Sequence, residues 1–283
     1  MIIDRLYARV EERGPLCLGL DPSPEVYPDG FSRRFPSAAQ AALRFCQEIV
    51  DATADLAACY KVQIAHFEAL GVEGLAAYRD LLRYLRDQGA IVIGDVKRGD
   101  ISSTAAFYAQ AHFAGDFAAD FLTLNAYFGV DGIAPFLSYA GGGERGLFVL
   151  VRTSNPSAQE FQDLLVGGRP LYEEVAAKVA QWGEGFRGHC GYSAIGAVVG
   201  AHRDALARIR EEFPHLFLLV PGYGAQGGRA ADVTPAFRDG NGAVVVAARL
   251  VLGAHRGRPQ PLDRFPLYAR EATLAAREEL RCG

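Results

Sequence analysis

Lysine is nearly absent from this 283-residue chain: of 29 Lys and Arg residues only Lys61, Lys97 and Lys178 are lysine. Long apolar runs are missing too. Nothing approaches the ~18 consecutive apolar residues that a membrane span requires. The opening residues, "MIIDRLYARVEERG", are mixed in charge, with no apolar h-region and no small-residue cleavage site, so no secretory signal is expected. Cysteine shows no pairing pattern. Cys17, Cys46, Cys59, Cys190 and Cys282 are odd in number, scattered and without C-x-x-C spacing. That argues against a disulfide framework and fits reduced, structural thiols of a cytoplasmic protein. The six histidines show no H-x-H or H-E-x-x-H spacing, and no metal site is expected. Basic excess is absent as well. A net charge of −4 and a pI near 5.9 leave no electrostatic footprint for nucleic acid.

What is present is ordinary globular composition, 50% hydrophobic and 22% charged, enough for one large core. Eight short apolar runs recur: "LCLGLD" (16–21), "ACYKVQI" (58–64), "AIVIGDVK" (90–97), "FLTLNAYF" (121–128), "LFVLVRTS" (147–154), "IGAVVG" (195–200), "LFLLVPGYG" (216–224) and "GAVVVAARLV" (242–251). They are continuously hydrophobic, as parallel strands covered on both faces are. Helical i, i+3, i+4 patterns lie between them over 38–56, 72–89, 102–115, 172–186 and 202–214, with shorter ones over 131–140 and 228–240 and a last one over 267–282. Eightfold strand–helix alternation predicts a (β/α)8 TIM barrel, one domain spanning 1–283; an open doubly wound sheet is the second choice.

In such a barrel the active site lies at the C-terminal ends of the strands. Polar residues end the apolar runs there: Asp21, Lys61 with Gln63, Asp95 with Lys97, Asn125, Arg152 with Thr153 and Ser154, and Arg249. Asp95 and Lys97 are two apart on one strand and share a face. Asp100 follows, near the start of the next helix. Lys61 is expected at matching depth on the preceding strand. The result is an alternating array, Lys61–Asp95–Lys97–Asp100. Flanking carboxylates keep an ammonium charged and oriented. The array suits a reaction that expels a carboxylate and needs a proton where it left. A salt-bridge network capping a strand is the plainer reading of D-x-K-x-x-D alone. The scarcity of lysine favours function, since arginine can hold charge but does not give up its proton. Lys178, on a polar helix face, is the surface exception.

Late in the chain, "VPGYGAQGG" (220–228) makes a glycine-rich turn after strand 7, and "AARLVLGA" (247–254) ends strand 8 with Arg249. Loops after strands 7 and 8 are the usual phosphate site of these barrels, and Arg249 would add a bidentate contact. The glycines alone would fit tight turns equally well.

Taken in order, "LGLDPSP", "YKVQIAHFEALG", "GDVKRGDISSTAAFYA", "TLNAYFG", "VRTSNPSA", "VPGYGAQGG" and the arginine of "AARLV" resemble orotidine 5′-phosphate decarboxylase in its longer bacterial form, over nearly the whole chain. The resemblance implies a homodimeric barrel converting orotidine 5′-phosphate to UMP and CO2 without metal or cofactor. It implies Lys97 as proton donor to pyrimidine C6 and Asp95 beside the departing carboxylate. Lys61 and Asp21 would bind ribose hydroxyls. Asp100 and Thr104 would reach across the dimer interface into the neighbour's site. Ser154 would read the pyrimidine edge, Pro221 and Gln226 would lie on a loop closing over base and phosphate, and Arg249 would hold the phosphate. The family commonly has small polar residues before that arginine and a glycine after it; here they are Ala247, Ala248 and Leu250. His66 stands where the pattern has an aromatic, and is read as a core or near-mouth residue.

Three other readings compete. A magnesium-dependent sugar-phosphate decarboxylase or aldolase of the same superfamily would need extra carboxylates, and Glu68 is the only spare acid near strand 2. A Schiff-base aldolase needs a lysine of lowered pKa, against the effect of two flanking carboxylates. A non-catalytic phosphate-binding barrel, or an adhesion protein using the "RGD" of residues 98–100, needs that triplet exposed. In a barrel Arg98 points outward while Asp100 turns toward the mouth.

Overall fold

Each of the eight apolar runs forms a strand: β1 (Leu16–Leu20), β2 (Cys59–Gln63), β3 (Val92–Arg98), β4 (Phe121–Leu124), β5 (Gly146–Arg152), β6 (Ser193–Val199), β7 (Leu216–Pro221) and β8 (Ala243–Ala247). Each pairs in parallel with the next, and β8 pairs with β1 to close a barrel. The architecture comes from a computed structural model that describes residues 1–224 and 229–282. α1 (Ile2–Arg13) precedes β1. α2 (Ala38–Thr53), α3 (Gly71–Asp87), α4 (Ser102–Phe113), α5 (Val130–Ala140), α6 (Leu171–Trp182) and α7 (Arg203–Glu212) follow β1 to β6 in turn, and α8 (Pro261–Cys282) closes the chain against α2 and β1.

The strands lack polar alternation because both of their faces are covered. One alternate set, including Cys17, Cys59, Ile93, Phe121, Phe148 and Phe217, fills the barrel interior. The other, including Leu18, Tyr60, Val62, Leu122 and Leu147, packs outward beneath the helices. Each large side chain so buried stabilises by about 1.5–3 kcal/mol. Ile2, Ile3, Leu6 and Val10 of α1 join the interior core, while the polar ends of the strands gather at the other mouth.

Some expectations were too regular. The helix expected over 228–240 is only Ala230–Val233 followed by a 3-10 turn, Thr234–Ala236. Pro235 has no N–H with which to continue it, and left-handed Asp239 and Gly240 (φ 53° and 76°) turn the chain back toward β8. The last helix starts at Pro261 rather than 267, proline being well suited to a first turn. A hairpin went unanticipated: Leu165–Val166 pairs antiparallel with Arg169–Pro170. Its Gly167–Gly168 turn has both φ positive (61° and 88°), the geometry for which two glycines between short strands are the usual signal. Among the described residues no helix is long and apolar enough to cross a membrane.

Candidate active site

Strand alternation places Lys61, Asp95 and Thr123 on the inward face, above Cys59, Ile93 and Phe121. All three are buried. The register pairs Lys61 with Ile93 and Gln63 with Asp95. Lys61 therefore starts two residues below the level of Asp95, and its four-carbon stem climbs to the carboxylate. Asp95 accepts from four donors. Lys61 Nζ (2.8 Å) and Gln63 Nε2 (2.9 Å) bind Oδ2; Lys97 Nζ (2.6 Å) and Thr123 Oγ1 (2.9 Å) bind Oδ1. Lys61 also reaches Asp21 Oδ1 at 3.5 Å.

Burial by itself pushes the Asp95 carboxyl up. Lys61 and then Lys97 outweigh it and hold the group well below the usual carboxylate range. Burial likewise works against charge on Lys61, but Asp95 and Asp21 keep its ammonium above the ordinary lysine value. The buried charges are thus mutually satisfied rather than neutralised. The Lys97 side chain differs from both in being 46% exposed. It is tied to Asp95 at its tip and otherwise open to the cavity.

That cavity, of about 780 Å³, opens at the C-terminal ends of the strands. Asp21, Lys61, Asp95, Lys97, Ser154, Pro221 and Arg249 all line it, seven of the residues singled out from the sequence. Half-buried His66 also stands at its edge, as expected. Ala248 lines it beside Arg249, and Leu250 lies where a Cβ on left-handed Gly224 would meet it at 3.0 Å. A second arginine, Arg256, also lines the cavity and donates to the Glu25 carbonyl. Nothing in its sequence context separates it from the many other arginines. Thr123 was also passed over. Its signal was a hydroxyl in the middle of the apolar run "FLTLN".

Other expected residues lie elsewhere. Asp100 does not join Asp95 and Lys97; its Oδ1 accepts from the Ile101 N–H at 2.8 Å, and Thr104 is exposed on α4. The fourfold charge array is therefore threefold within one chain. Gln226 lies outside the described residues. Arg152 turns away from the mouth to grip Asp163 with two 3.0 Å bonds beneath the hairpin. Asn125 accepts from the Tyr127 N–H at 3.0 Å, closing its own turn. Arg98 packs outward: it binds Glu68 Oε1 at 2.9 Å, approaches His112 Nε2 at 3.4 Å and lies over the Tyr108 ring. An arginine so engaged is not displayed for an adhesion receptor. Lys178 is exposed on α6, as expected.

Residues 14–260 match the model of the orotidine 5′-phosphate decarboxylase / HUMPS family. This chain belongs to that family. Among its relatives, the orotidine 5′-phosphate decarboxylase of Clostridium acetobutylicum is 47% identical over 283 residues, 99% of each chain. That of Clostridium perfringens (strain SM101 / Type A) is 44% identical, covering 99% of this chain and 98% of the relative. The solved structure of Leishmania donovani OMP decarboxylase superposes with a TM-score of 0.76 at 33% identity, covering 98% of both chains. Leishmania donovani UMP synthase superposes with a TM-score of 0.77 at 35% identity; the match takes in 97% of this chain but 56% of that one. For an orotidine 5′-phosphate decarboxylase, the chemistry required of the cavity is loss of a carboxylate from a phosphorylated nucleoside. A buried carboxylate bearing a solvent-facing lysine stands at one wall, and Arg249 and Arg256 line the same cavity.

Proposed function

We propose that Lys97 delivers the proton to pyrimidine C6 in the reaction that family membership gives this chain, conversion of orotidine 5′-phosphate to UMP and CO2 in pyrimidine synthesis. One observation carries the assignment: the Lys97 ammonium sits 2.6 Å from Asp95 Oδ1 while the rest of it faces the cavity. With C6 above Lys97, the substrate carboxylate lies beside Asp95. Asp95 is held ionised and cannot take up a proton to relieve the contact, so negative charge faces negative charge until CO2 departs. The electron pair left on C6 then takes the proton of Lys97, which is recharged from water. Ionic stabilisation of that developing charge is strong because the donor is already in place.

Lys61 and Asp21 bind the ribose hydroxyls. Ser154 reads the pyrimidine edge, and Pro221 lies beside base and phosphate. Arg249, joined by Arg256, binds the phosphate. The step uses no metal or cofactor. In support, all four donor contacts to Asp95 come from the protein itself, leaving it poorly suited to ligate a cation. Lys61, raised above the ordinary lysine range, is the reverse of what an imine-forming lysine needs.

Two protomers complete each site, with Asp100 and Thr104 entering the partner's cavity. Exposed apolar residues flank that region: Ile101 and Phe107 beside Thr104, Tyr127 and Phe128 in the next strand–helix loop, and Val130 at the start of α5. Contiguous apolar exposure of this kind marks an interface. The working compartment is the cytoplasm, where the free thiols of Cys17, Cys46 and Cys59 stay reduced. The test is loss of orotidine 5′-phosphate absorbance with and without EDTA. Equal rates are expected; an EDTA-abolished rate restored by magnesium would overturn the metal-free step.

A further inference from the structure

We infer that Thr123 is a positioning residue for the reaction, its hydroxyl shaping the backbone that aims Lys97 and orienting the Asp95 carboxylate. The inference rests on the reading of Lys97 as proton donor. β3 and β4 fall out of step at this point. Gly94 pairs with Leu122, and the next paired residues are Arg98 and Leu124. Three residues of β3 (Asp95, Val96 and Lys97) therefore stand opposite the single residue Thr123. Such a bulge leaves ladder N–H groups without strand partners.

Thr123 supplies what the ladder does not. Its Oγ1 accepts from the Val96 N–H at 3.0 Å and the Lys97 N–H at 2.9 Å, and donates to Asp95 Oδ1 at 2.9 Å. One donor and two acceptor positions are all a hydroxyl has, and all three are used on the Asp95–Lys97 segment: the Asp95 carboxylate and the Val96 and Lys97 N–H groups. Thr123 is buried, with 1% of its surface exposed, so water does not substitute easily. The bulge also holds Lys97 in the left-handed region, φ 43°, a conformation that a lysine adopts only when its surroundings impose it. Lys97 Nζ and Thr123 Oγ1 share the same carboxylate oxygen. The one hydroxyl thus fixes both ends of the Asp95–Lys97 pair, backbone and side chain.

The test compares Thr123→Val, which keeps the shape and removes the hydroxyl, with Thr123→Ser, which keeps the hydroxyl. For Thr123→Val, kcat on orotidine 5′-phosphate should fall about 100-fold, the scale of a misaimed reacting group, while KM and UMP affinity stay within about threefold. Its acid limb of kcat should move to higher pH, because Asp95 loses a donor to its ionised form. Thr123→Ser should restore the rate and the limb. A role in folding alone would lower the amount of active protein and leave the limb in place. If Thr123→Val does not fold, Thr123→Ala is measured in the same way against Thr123→Ser. The inference is overturned if the hydroxyl-free variant keeps a near-normal kcat, if its limb does not move, or if Thr123→Ser is equally impaired. Lys97→Ala separates this from the parent reading. A fully active Lys97→Ala enzyme removes the reading itself. An inactive Lys97→Ala beside a normal Thr123→Val removes only the role of Thr123.

Discussion

Replacing Lys61 by methionine removes one charge from the buried centre of the site and leaves its partner behind. Asp95 then keeps Lys97, Gln63 and Thr123 as donors but loses the one deeply buried cation, 2.8 Å away, with both side chains 7% exposed. Stranding a buried ion by removing its partner costs about 3–5 kcal/mol. Lys97 still compensates Asp95 at 2.6 Å, so the low end applies, about 3 kcal/mol. For a chain of 283 residues that corresponds to a fall in Tm of roughly 5 °C. Most of the cost is the stranded carboxylate rather than lost packing, since methionine fills much of the lysine stem. In an Asp95→Asn background the same substitution should therefore cost only about 1 kcal/mol, a coupling near 2 kcal/mol. Urea unfolding at pH 7, followed by far-UV circular dichroism on the wild type, both single variants and the double variant, measures the cycle. Equal costs in the two backgrounds would refute the reasoning, because Lys61 would then act without reference to Asp95.

Three further outcomes follow from other parts of the molecule. Arg249→Ala and Arg256→Ala should each weaken UMP binding by at least about tenfold, the loss of one charge-assisted bond. Uridine binding should be unchanged in titration calorimetry; equal losses for both ligands would mean that the arginines shape the mouth rather than hold phosphate. Mixing inactive Lys97→Ala and Asp100→Ala protomers should restore activity through one intact hybrid site per mixed dimer. No recovery despite proven subunit exchange would show that Asp100 serves its own chain. His112 is buried beside Arg98, and burial, reinforced by that charge, pushes its pKa from 6.5 down to about 4. The unfolded chain binds this proton first, so stability is full above pH ~6.5 and is lost as pH falls toward ~4. His112→Phe should flatten that part of the urea-midpoint profile, and an unchanged slope would assign the loss to other groups.

The barrel was legible in the sequence because its signal is repeated. Eight continuous apolar runs, spaced by helical patterns, allow few arrangements, and small errors at helix ends leave closure untouched. The segment after β7 was misread because alanines in "GRAADVTPAF" suggested a helix that Pro235 cuts short. Asp95 and Lys97 were legible through strand periodicity, and Lys61 through scarcity. The depth of Lys61 was not, since it depends on the register between β2 and β3, which no residue advertises. The bulge opposite Thr123 was hidden for the same reason: it arises from pairing between strands, not from either strand alone. Arg152 and Asn125 occupy suitable strand ends yet spend their polar groups on Asp163 and on a local turn. Arg256 comes from a loop far from any strand end, and only the folded chain brings it to the cavity.

The central claim is that the Lys97 proton, rather than binding or shape, carries the reaction. Its direct test is kcat of Lys97→Ala on orotidine 5′-phosphate, measured together with UMP affinity. The account predicts turnover abolished, with UMP bound within about tenfold of wild-type affinity, as for an interaction made only in the transition state. A Lys97→Ala enzyme that binds UMP and retains more than a few per cent of wild-type kcat, on the order of 2 kcal/mol or less of lost stabilisation, would contradict it.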